Sequence, residues 1–379
     1  MSTPPRSVDT LVIGGGLNGV GVAYYLAREG VTDVLVVEAE DHGSGATGGS
    51  MGNIRQQGFG HPLEIECSRR GLAFWKNVEE LLGYPCLFHE DGYLLLTGDE
   101  STASILRQQA DLQISMGMPD VQLLEPDEIA ELVPFIDPEG LICGSWTPKD
   151  GHVMPMDGLS AFIGAGRELG VKIQKRWPVT RLERKADGWH AYGPDEIVAQ
   201  RVVAVAGWGN RELLQPFGVD LDIYKATHRA VLTEPAFVGT RIPTVIDVDT
   251  GMAVEREGET LMLAMLGRNP AARNHNHLVE LFVEAAAERA PGLADLKIVH
   301  ELTAYPALGG DGHPYVGQVE EGLWALAFAG HGAMHGPPVA EALAKSIVDR
   351  PDPTLDLSPW DVRRTPGERT VLWRRNATS

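Results

Sequence analysis

The chain has 379 residues, of which 43% are hydrophobic and 22% charged, a composition typical of a globular protein with more than one domain. Its formal net charge of −20 opposes binding to nucleic acid or to an anionic membrane, so neither partner is expected. The three cysteines form no C-x-x-C pair, the first segment lacks the apolar core of a signal peptide, and no apolar run could cross a bilayer. We therefore expect a cytoplasmic protein.

The N-terminal segment predicts a βαβ unit. Residues 8–13 form a short apolar run that ends in glycines, which favours a buried parallel strand. Residues 18–29 favour a helix, with Gly30 at its C-terminal cap, and residues 34–37 favour a second buried strand. A glycine-rich loop over 41–60 and a helix over 62–82 are predicted next.

The middle of the chain has a different character. Strands are predicted at 92–97, 141–147, 223–233, 244–248 and 252–266, with a helix at 101–116, and together they indicate a mixed or antiparallel sheet. Pieces of α/β type return at 158–174, 202–207 and 323–348. We therefore predict a discontinuous nucleotide domain from 1–85, 148–215 and 312–379, and an inserted substrate domain from 86–147 and 216–311. The segment from 351 onward has the composition of a surface tail.

The βαβ unit carries a dinucleotide-binding pattern, because Gly14, Gly16 and Gly19 give G-x-G-x-x-G between strand and helix. These glycines permit a tight turn, close approach of a pyrophosphate, and close packing of helix on strand. The helix N-terminus, which includes Leu17 and Asn18, stabilises phosphate charge. Glu38 ends the second strand, where its carboxylate can accept hydrogen bonds from ribose hydroxyls. The alternative is a glycine-rich turn without a ligand.

The pattern does not by itself choose between FAD and NAD, but the segments around it resemble one family. GGGLNGVGVAYYLAREG at 14–30, VLVVEAE at 34–40, GSGATGGS at 43–50 and NIRQQ at 53–57 are similar to the D-amino-acid oxidase/sarcosine oxidase superfamily of FAD enzymes. Within it, the chain most resembles the β subunits of sarcosine oxidase and of dye-linked L-proline dehydrogenase. Further similar segments are VVAVAGW at 202–208, DGHP at 311–314, FAGHG at 328–332 and MHGP at 334–337.

The resemblance implies an α/β fold, with an FAD-binding Rossmann-like domain of the glutathione-reductase type and an inserted substrate domain with a mixed or antiparallel sheet. It also extends the set of expected FAD-binding residues. Beyond the residues of the dinucleotide-binding pattern and its helix N-terminus, these are Ala39, Gly45, Ala46, Thr47, Val179, Ala206, Gly207, Trp208, Gly330, His331, Gly332 and Met334. The glycine-rich turn and helix at the C-terminal motif would place backbone N–H groups where reduced flavin develops negative charge.

Three residues are candidates for the substrate site. Arg55 is expected to pair with a substrate carboxylate, since guanidinium binds that group bidentately; otherwise it is a loop arginine in solvent or on a cofactor phosphate. Tyr305 matches a family position that closes over the substrate, and the alternative is that it is a tyrosine of the core. Arg268 is a second candidate partner for the substrate carboxylate. His331 and His335 are spaced i, i+4, but no third ligand accompanies them, so no metal site is predicted.

The chain departs from the family's sarcosine oxidases at several positions. Thr303 stands where monomeric members carry the cysteine that binds flavin covalently, so FAD is expected to be non-covalent. Met334 replaces a lysine of the C-terminal motif. An oxygen-activating lysine would fall near Met262 and a substrate-site histidine near Leu266. These losses weaken the sarcosine assignment and favour a dehydrogenase.

We therefore predict an FAD-dependent oxidoreductase that oxidises the C–N bond of a small, secondary amine or amino acid to an imine by hydride transfer to flavin. Molecular oxygen or another acceptor would reoxidise the flavin. The alternatives are a primary-amine oxidase of the glycine or D-amino-acid type, an NAD-dependent dehydrogenase, and the flavin-bearing subunit of a larger dehydrogenase. Partner subunits and a homo-oligomer both stay open.

Overall fold

The computed structural model describes residues 7–266 and 274–367. It begins with the predicted βαβ unit, formed by β1 (Ser7–Ile13), α1 (Leu17–Arg28) and β2 (Val34–Val37). The two strands pair in parallel, with Val12 opposite Val36. Both faces of β2 and of most of β1 are buried, so neither strand alternates between apolar and polar residues. The continuous apolar runs in the sequence predicted strands of this buried type.

The other elements of the described chain follow in order. The strands are β3 (Asn53–Ile54), β4 (Phe88–His89), β5 (Tyr93–Thr97), β6 (Gln122–Leu124), β7 (Cys143–Thr147), β8 (Gly151–Val153), β9 (Lys172–Gln174), β10 (Arg181–Lys185), β11 (Gly188–Tyr192), β12 (Glu196–Ala204), β13 (Ile223–Lys225), β14 (His228–Thr233), β15 (Thr244–Asp247), β16 (Met252–Glu257), β17 (Thr260–Met265), β18 (Ile298–Ala304), β19 (Ala307–Gly309), β20 (Tyr315–Glu320) and β21 (Leu323–Ala327). The helices are α2 (Pro62–Lys76), α3 (Val78–Leu82), α4 (Glu100–Ser115), α5 (Pro126–Leu132), α6 (Pro155–Glu168), α7 (Asn210–Leu214), α8 (His275–Arg289) and α9 (Gly336–Ile347).

The first large sheet is built around β1. Its strand order is β10-β11-β12-β1-β2-β9, and β21 joins it beside the second half of β12, with β20 next to β21. The strands β12, β1, β2, β9 and β21 run parallel, while the β10–β11 and β20–β21 pairs are antiparallel additions. The carboxyl ends of β1, β12 and β21 therefore lie at one edge, where a dinucleotide binds in sheets of this kind.

Alternate residues of β1 and β2 reach two separate cores, one on each face of this sheet. Val12 and Val36 pack with residues of α1, α6 and α9, whereas Leu11 and Leu35 pack with Trp189 and other residues of β10 to β12. Successive side chains of a strand point to opposite faces of the sheet, which produces this division. The sheet is thus packed between two apolar layers.

The second large sheet has the order β18-β14-β17-β16-β15-β5-β7-β6. Its pairs are antiparallel except for β15 with β5. Helix α8 packs on this sheet through Leu278 and Phe282, which share a core with Leu263. The region over 252–266, predicted to form strand, is the hairpin β16–β17. The predicted helix over 62–82 is interrupted at Asn77, where α2 ends.

Two small sheets are formed by short strands that lie, along the chain, between strands of the two large sheets. One contains β3-β8-β4, and the other pairs β13 with β19. The first sheet crosses the domain division proposed from the sequence, because β4 belongs to the proposed substrate domain and β8 to the proposed nucleotide domain. The boundaries of that division stay a proposal.

Residues 352–367 are not part of a surface tail, although the composition of this region indicated one. Leu355, Trp360 and Val362 are buried. The Arg364 guanidinium pairs with the buried Asp311 carboxylate, with Nη2 donating to Oδ1 at 3.0 Å. The composition was misleading because three apolar anchors and one buried ion pair hold a segment that is otherwise polar.

Candidate active site

The turn between β1 and α1 is closed so tightly that side chains are excluded from it. Gly14 has φ +121°, and a Cβ there would lie 2.3 Å from the carbonyl oxygen of Val205. A Cβ on Gly19 would lie 2.0 Å from the carbonyl oxygen of Gly14. The first turn of α1 thus sits directly against the end of β1, and its N-terminal N–H groups face the edge of the sheet.

The loop after β2 covers this turn. Thr47 Oγ1 accepts a hydrogen bond from Leu17 N at 3.1 Å and so caps α1 from a distant part of the chain. A Cβ on Gly16 would lie 2.9 Å from the same hydroxyl. Glu38 Oε2 accepts from Gly15 N at 2.7 Å, while Oε1 accepts from the Glu40 amide at 2.9 Å. Each carboxylate oxygen retains a second lone pair, so a ribose hydroxyl can still be bound.

The C-terminal motif builds the opposite wall. After β21 the backbone turns through Gly330 (φ +108°) and His331 (φ +60°), and α9 begins at Gly336. Trp75 Nε1 on α2 donates to the Ala333 carbonyl at 2.9 Å and supports this turn. Asn18, in the first turn of α1, lies so close that a Cβ on Gly336 would be 2.0 Å from its Oδ1. The positive ends of α1 and α9 are therefore adjacent.

Asn210 is a structural residue of this site that the sequence analysis missed. Its Nδ2 donates to the carbonyls of Ala204 and Leu326, both at 3.0 Å, and its Oδ1 accepts from Ala206 N at 2.9 Å. The side chain thus joins the ends of β12 and β21 just before Gly207. The only signal in the sequence is an asparagine shortly after a strand end, where its amide can bond to free backbone groups.

These elements enclose one cavity of about 1030 Å³, at the upper end of the size range of small-molecule sites. It extends from Glu38, past the helix N-termini, to Arg55 and Tyr305. The cavity is lined by every residue predicted to bind the cofactor, namely Gly14, Gly16, Leu17, Asn18, Gly19, Glu38, Ala39, Gly45, Ala46, Thr47, Val179, Ala206, Gly207, Trp208, Gly330, His331, Gly332 and Met334. A glycine cradle, adjacent helix N-termini and a carboxylate at one end fit an extended dinucleotide.

Arg55 lies in the wall at the other end of the cavity and is only 1% exposed. Its Nη1 donates to the Gln57 carbonyl, and its Nη2 lies 3.2 Å from His331 Nε2. The guanidinium is 4.2 Å from the ring centre of Phe59 and 5.5 Å from that of Tyr93. Burial lowers the pKa of Arg55 to about 10, so it is still charged at neutral pH. Contacts on several sides fix its orientation.

A buried polar network holds the segment that carries Arg55, and the sequence analysis did not foresee it. Asp150 accepts from Gln56 N at 2.9 Å and from Gln56 Nε2 at 3.1 Å. Ser145 Oγ donates to Gln57 Oε1 at 2.6 Å, and Gln57 Nε2 donates to the Tyr93 carbonyl. Burial raises the pKa of Asp150 to about 7 against the opposing effect of these hydrogen bonds. The partners come from distant parts of the chain, which no local pattern reveals.

Tyr305 lies on the cavity wall with 41% of its surface exposed. The Lys225 ammonium, which the sequence analysis also missed, lies 4.2 Å from the centre of its ring and 5.2 Å from that of Trp208. The pairing of β13 with β19 brings Lys225 opposite Ala307 and hence beside Tyr305. His228 and Leu266 also line this end of the cavity.

The remaining predicted positions are distributed differently. Arg268 lies outside the described residues. Met262 is buried in β17, and Thr303 lies on β18 with its hydroxyl 3.4 Å from His275 Nε2. His335 is buried beside Ser68, whose hydroxyl is 2.7 Å from Nε2, and burial lowers its pKa to about 3. His335 therefore acts as a neutral packing residue behind the His331 turn.

Comparison with known proteins agrees with this geometry. Residues 9–346 match the family model described as FAD dependent oxidoreductase (DAO). The chain belongs to this family. Its cofactor is accordingly FAD, and the Rossmann-like fold with a second sheet is the one the sequence predicted.

Individual relatives are distant but match over most of this chain. Mitochondrial dimethylglycine dehydrogenase of Rattus norvegicus is 26% identical over 96% of the chain and 46% of the relative. The chain thus spans about half the length of such relatives. Glycine oxidase of Bacillus licheniformis is 26% identical over 91% of the chain and 94% of the relative. The crystal structure of L-proline dehydrogenase from P. horikoshii has a TM-score of 0.87, with 26% identity over 95% of this chain and 98% of that one.

Within residues 7–266 and 274–367, each helix is too short or too polar to cross a membrane.

Proposed function

We propose that the protein oxidises the C–N bond of a small amine that carries a carboxylate, with secondary amino acids such as proline or an N-methyl glycine as the first candidates. One observation carries this proposal. A single cavity is lined at one end by the dinucleotide-binding turn and at the other by a fixed arginine and an exposed tyrosine. Substrate and cofactor would therefore meet in one space, which is the positioning that such a reaction requires.

The cavity residues would hold FAD through the α1 turn, the loop around Thr47 and the turn at Gly330 and His331. When bound, the flavin supplies a hydride acceptor. We propose non-covalent attachment, because none of the three cysteines, all of them in the described part of the chain, lines the cavity. The adjacent N-termini of α1 and α9 would stabilise negative charge inside the cavity.

Arg55 is proposed to attract and orient the substrate carboxylate. Its charge lies in a buried wall, where attraction to an anion is stronger than in water. The aromatic rings of Phe59 and Tyr93 lie beside the guanidinium and would help to orient it. Tyr305 would close the opposite side of the substrate and exclude water. Loss of a hydride from the carbon beside nitrogen leaves an iminium, which water hydrolyses or which becomes a cyclic imine after loss of a proton.

The test is an anaerobic titration of the purified protein, loaded with FAD, with proline, sarcosine, glycine and D-alanine in turn. Bleaching of the visible flavin absorbance by proline or sarcosine is the expected result. Bleaching by glycine alone, with release of ammonia, would replace this proposal with a primary-amine oxidase, and the glycine oxidase relative makes this the second candidate. Protein that binds FAD but is bleached by none of the four would overturn the proposed substrate class.

We also propose that the physiological electron acceptor is not oxygen, because Met262 and Leu266 stand near the positions of the family's oxygen-activating lysine and substrate-site histidine. Admitting air to the bleached protein tests this, since the colour should return over minutes rather than seconds. Rapid return would make the protein an oxidase. A cytoplasmic location and the presence or absence of partner subunits also stay predictions, to be tested by cell fractionation and by the mass of the native complex.

A further inference from the structure

A group of metal-binding side chains lies on the β3-β8-β4 sheet. His89 on β4 is paired with His152 on β8, and their rings stack with centres 4.6 Å apart and planes within 6°. Asp91 follows β4, and its Oδ2 is 3.4 Å from His152 Nδ1. One ligand atom from each of the three residues lies within 4.8 Å of the other two. His152 is nearly buried, and the other two are half-buried.

The surroundings of this group are rich in carboxylates. Glu255 is fully buried, and its Oε1 has no hydrogen-bond partner within the described structure. Asp91 and Glu257 both lie close enough to Glu255 to act on its charge, and Glu257 is likewise close to His89. In the part of the chain that the structure describes, no lysine or arginine forms an ion pair with Asp91. Arg256 is close enough to Asp91 to act on its charge, but its guanidinium donates to the Ala236 and Phe237 carbonyls. Arg241 Nε donates to the Asp91 backbone carbonyl at 3.2 Å, so the Asp91 carboxylate can still accept a metal ion.

We propose that His89, Asp91 and His152 bind a divalent transition-metal ion of the zinc type. Two imidazoles and one carboxylate are a donor set that suits zinc or nickel better than magnesium or calcium. With bonds of about 2.1 Å, ligand atoms in a tetrahedral site lie about 3.4 Å apart, whereas these atoms lie within 4.8 Å of one another, so some of them must approach by up to about 1.4 Å. Rotation of the half-buried His89 ring can supply this movement, and water or Glu257 would complete the coordination.

The ion would connect parts of the protein that border the active-site cavity. His152 is paired with Asn53 on β3, and Asn53 lines the cavity two residues before Arg55. Asn53 Nδ2 also donates to Glu255 Oε2 at 2.8 Å, which ties β3 to β16 of the second large sheet. A bound ion would therefore fasten the small sheet behind the cavity wall. Its position outside the cavity makes it a structural ion rather than a participant in the reaction.

The experiment measures metal binding directly and does not depend on the substrate. The FAD-loaded protein is stripped with a chelator, dialysed and titrated with Zn²⁺ and separately with Mg²⁺ by calorimetry. The wild type should bind one equivalent of Zn²⁺ with saturation and should bind Mg²⁺ at least 100-fold more weakly. His89→Gln and His152→Gln should each reduce the Zn²⁺ affinity at least 100-fold. His300→Gln is the matched control on an exposed histidine of β18 and should bind like the wild type.

Failure of the proposal has a clear signature. The proposal would be overturned if the wild type showed no saturable binding of one equivalent of Zn²⁺, or if it bound Mg²⁺ equally well. It would also be overturned if the His89→Gln, His152→Gln double variant still bound one equivalent of Zn²⁺ with unchanged affinity. If His152→Gln does not fold, His89→Gln and Asp91→Asn decide the question, because both side chains are partly exposed. Flavin absorbance and circular dichroism of each variant establish that the fold is intact.

Discussion

The two ends of the cavity are assembled in different ways. The dinucleotide end is built largely from one continuous stretch, β1-α1-β2 and the following loop, with glycines at positions where a Cβ would collide with backbone. The substrate end takes Arg55, Lys225 and Tyr305 from segments separated by more than 75 residues, and each is oriented by partners from elsewhere. Local geometry therefore determines the first end and long-range packing the second. The dinucleotide end should fail abruptly when a single backbone contact is changed, whereas the substrate end should fail gradually.

The largest effect is expected from Gly19→Ala. The new Cβ would lie 2.0 Å from the Gly14 carbonyl oxygen, which is backbone and cannot move without opening the turn. We expect the purified variant to lose nearly all bound FAD and the free energy of unfolding to fall by more than about 3 kcal/mol. Flavin absorbance per protein and thermal unfolding measure both.

Gly21→Ala is the matched control, since it lies on the same helix with its nearest neighbours 3.8 Å from the new Cβ. It should keep its FAD and gain up to about 1 kcal/mol from helix propensity. Loss of FAD in both variants, or in neither, would show that the close approach is not what the turn requires.

Arg55→Ala should have the next largest effect. Removing the buried guanidinium should lower kcat/KM for a carboxylate substrate by about 10²–10³-fold, or about 3–4 kcal/mol. Arg55→Lys should recover only part of this, because an ammonium cannot reproduce the bidentate contact. Activity is to be compared on a carboxylate substrate and on an N-methyl amine without a carboxylate.

The amine without a carboxylate separates two roles for Arg55. If kcat/KM fell equally for both substrates and less FAD were bound, Arg55 would hold the turn at His331 rather than the substrate. Arg211→Ala, at an exposed arginine 3.8 Å from Asp220, should change neither value.

Asn210→Ala probes a connection between strands that lies outside the glycine turn. It leaves the Ala204 and Leu326 carbonyls and the Ala206 amide without their partner, which should cost about 2–3 kcal/mol in unfolding free energy. Chemical denaturation of the FAD-free protein measures this. Asn77→Ala, at an exposed helix end, should change stability by less than about 0.5 kcal/mol, and a similar loss in both would contradict the assignment.

The smallest expected effect is on the pH dependence of stability, and it comes from Glu255, which lies behind the substrate end of the cavity. Burial raises the pKa of Glu255 from 4.5 to about 8, with Glu257 and Asp91 adding to the rise. The folded state thus binds this proton more tightly than the unfolded state. The resulting stabilisation is complete below pH 4.5 and is lost as the pH rises towards 8.

Glu255→Gln removes that titration, so in chelator-treated samples its Tm relative to the wild type should increase by a few degrees between pH 5 and pH 8. Glu280→Gln, on the exposed face of α8, should run parallel to the wild type throughout. A constant difference between Glu255→Gln and the wild type at all pH values would show that Glu255 does not titrate in this range.

The sequence allowed the dinucleotide turn, its strands and its helix to be predicted because each consists of neighbouring residues with a local physical signature. The prediction of a surface tail was wrong for residues 352–367, where Trp360 and Arg364 pack into the body of the protein. The sequence analysis also missed Asn210, Lys225 and the Asp150 network, whose partners are brought together only by the fold. The groups at those sites have no periodic pattern or fixed spacing that could reveal them.

The sequence by itself determined that a dinucleotide binds and where its binding turn lies, because glycine spacing and apolar runs act over a few residues. Only the tertiary structure decided that Arg55 is buried beside two aromatic rings, that Lys225 lies over Tyr305, and that the ring of His89 stacks on that of His152. Those arrangements depend on strand pairing between distant segments. Such pairing is selected by the packing of the whole chain rather than by the preference of any one segment.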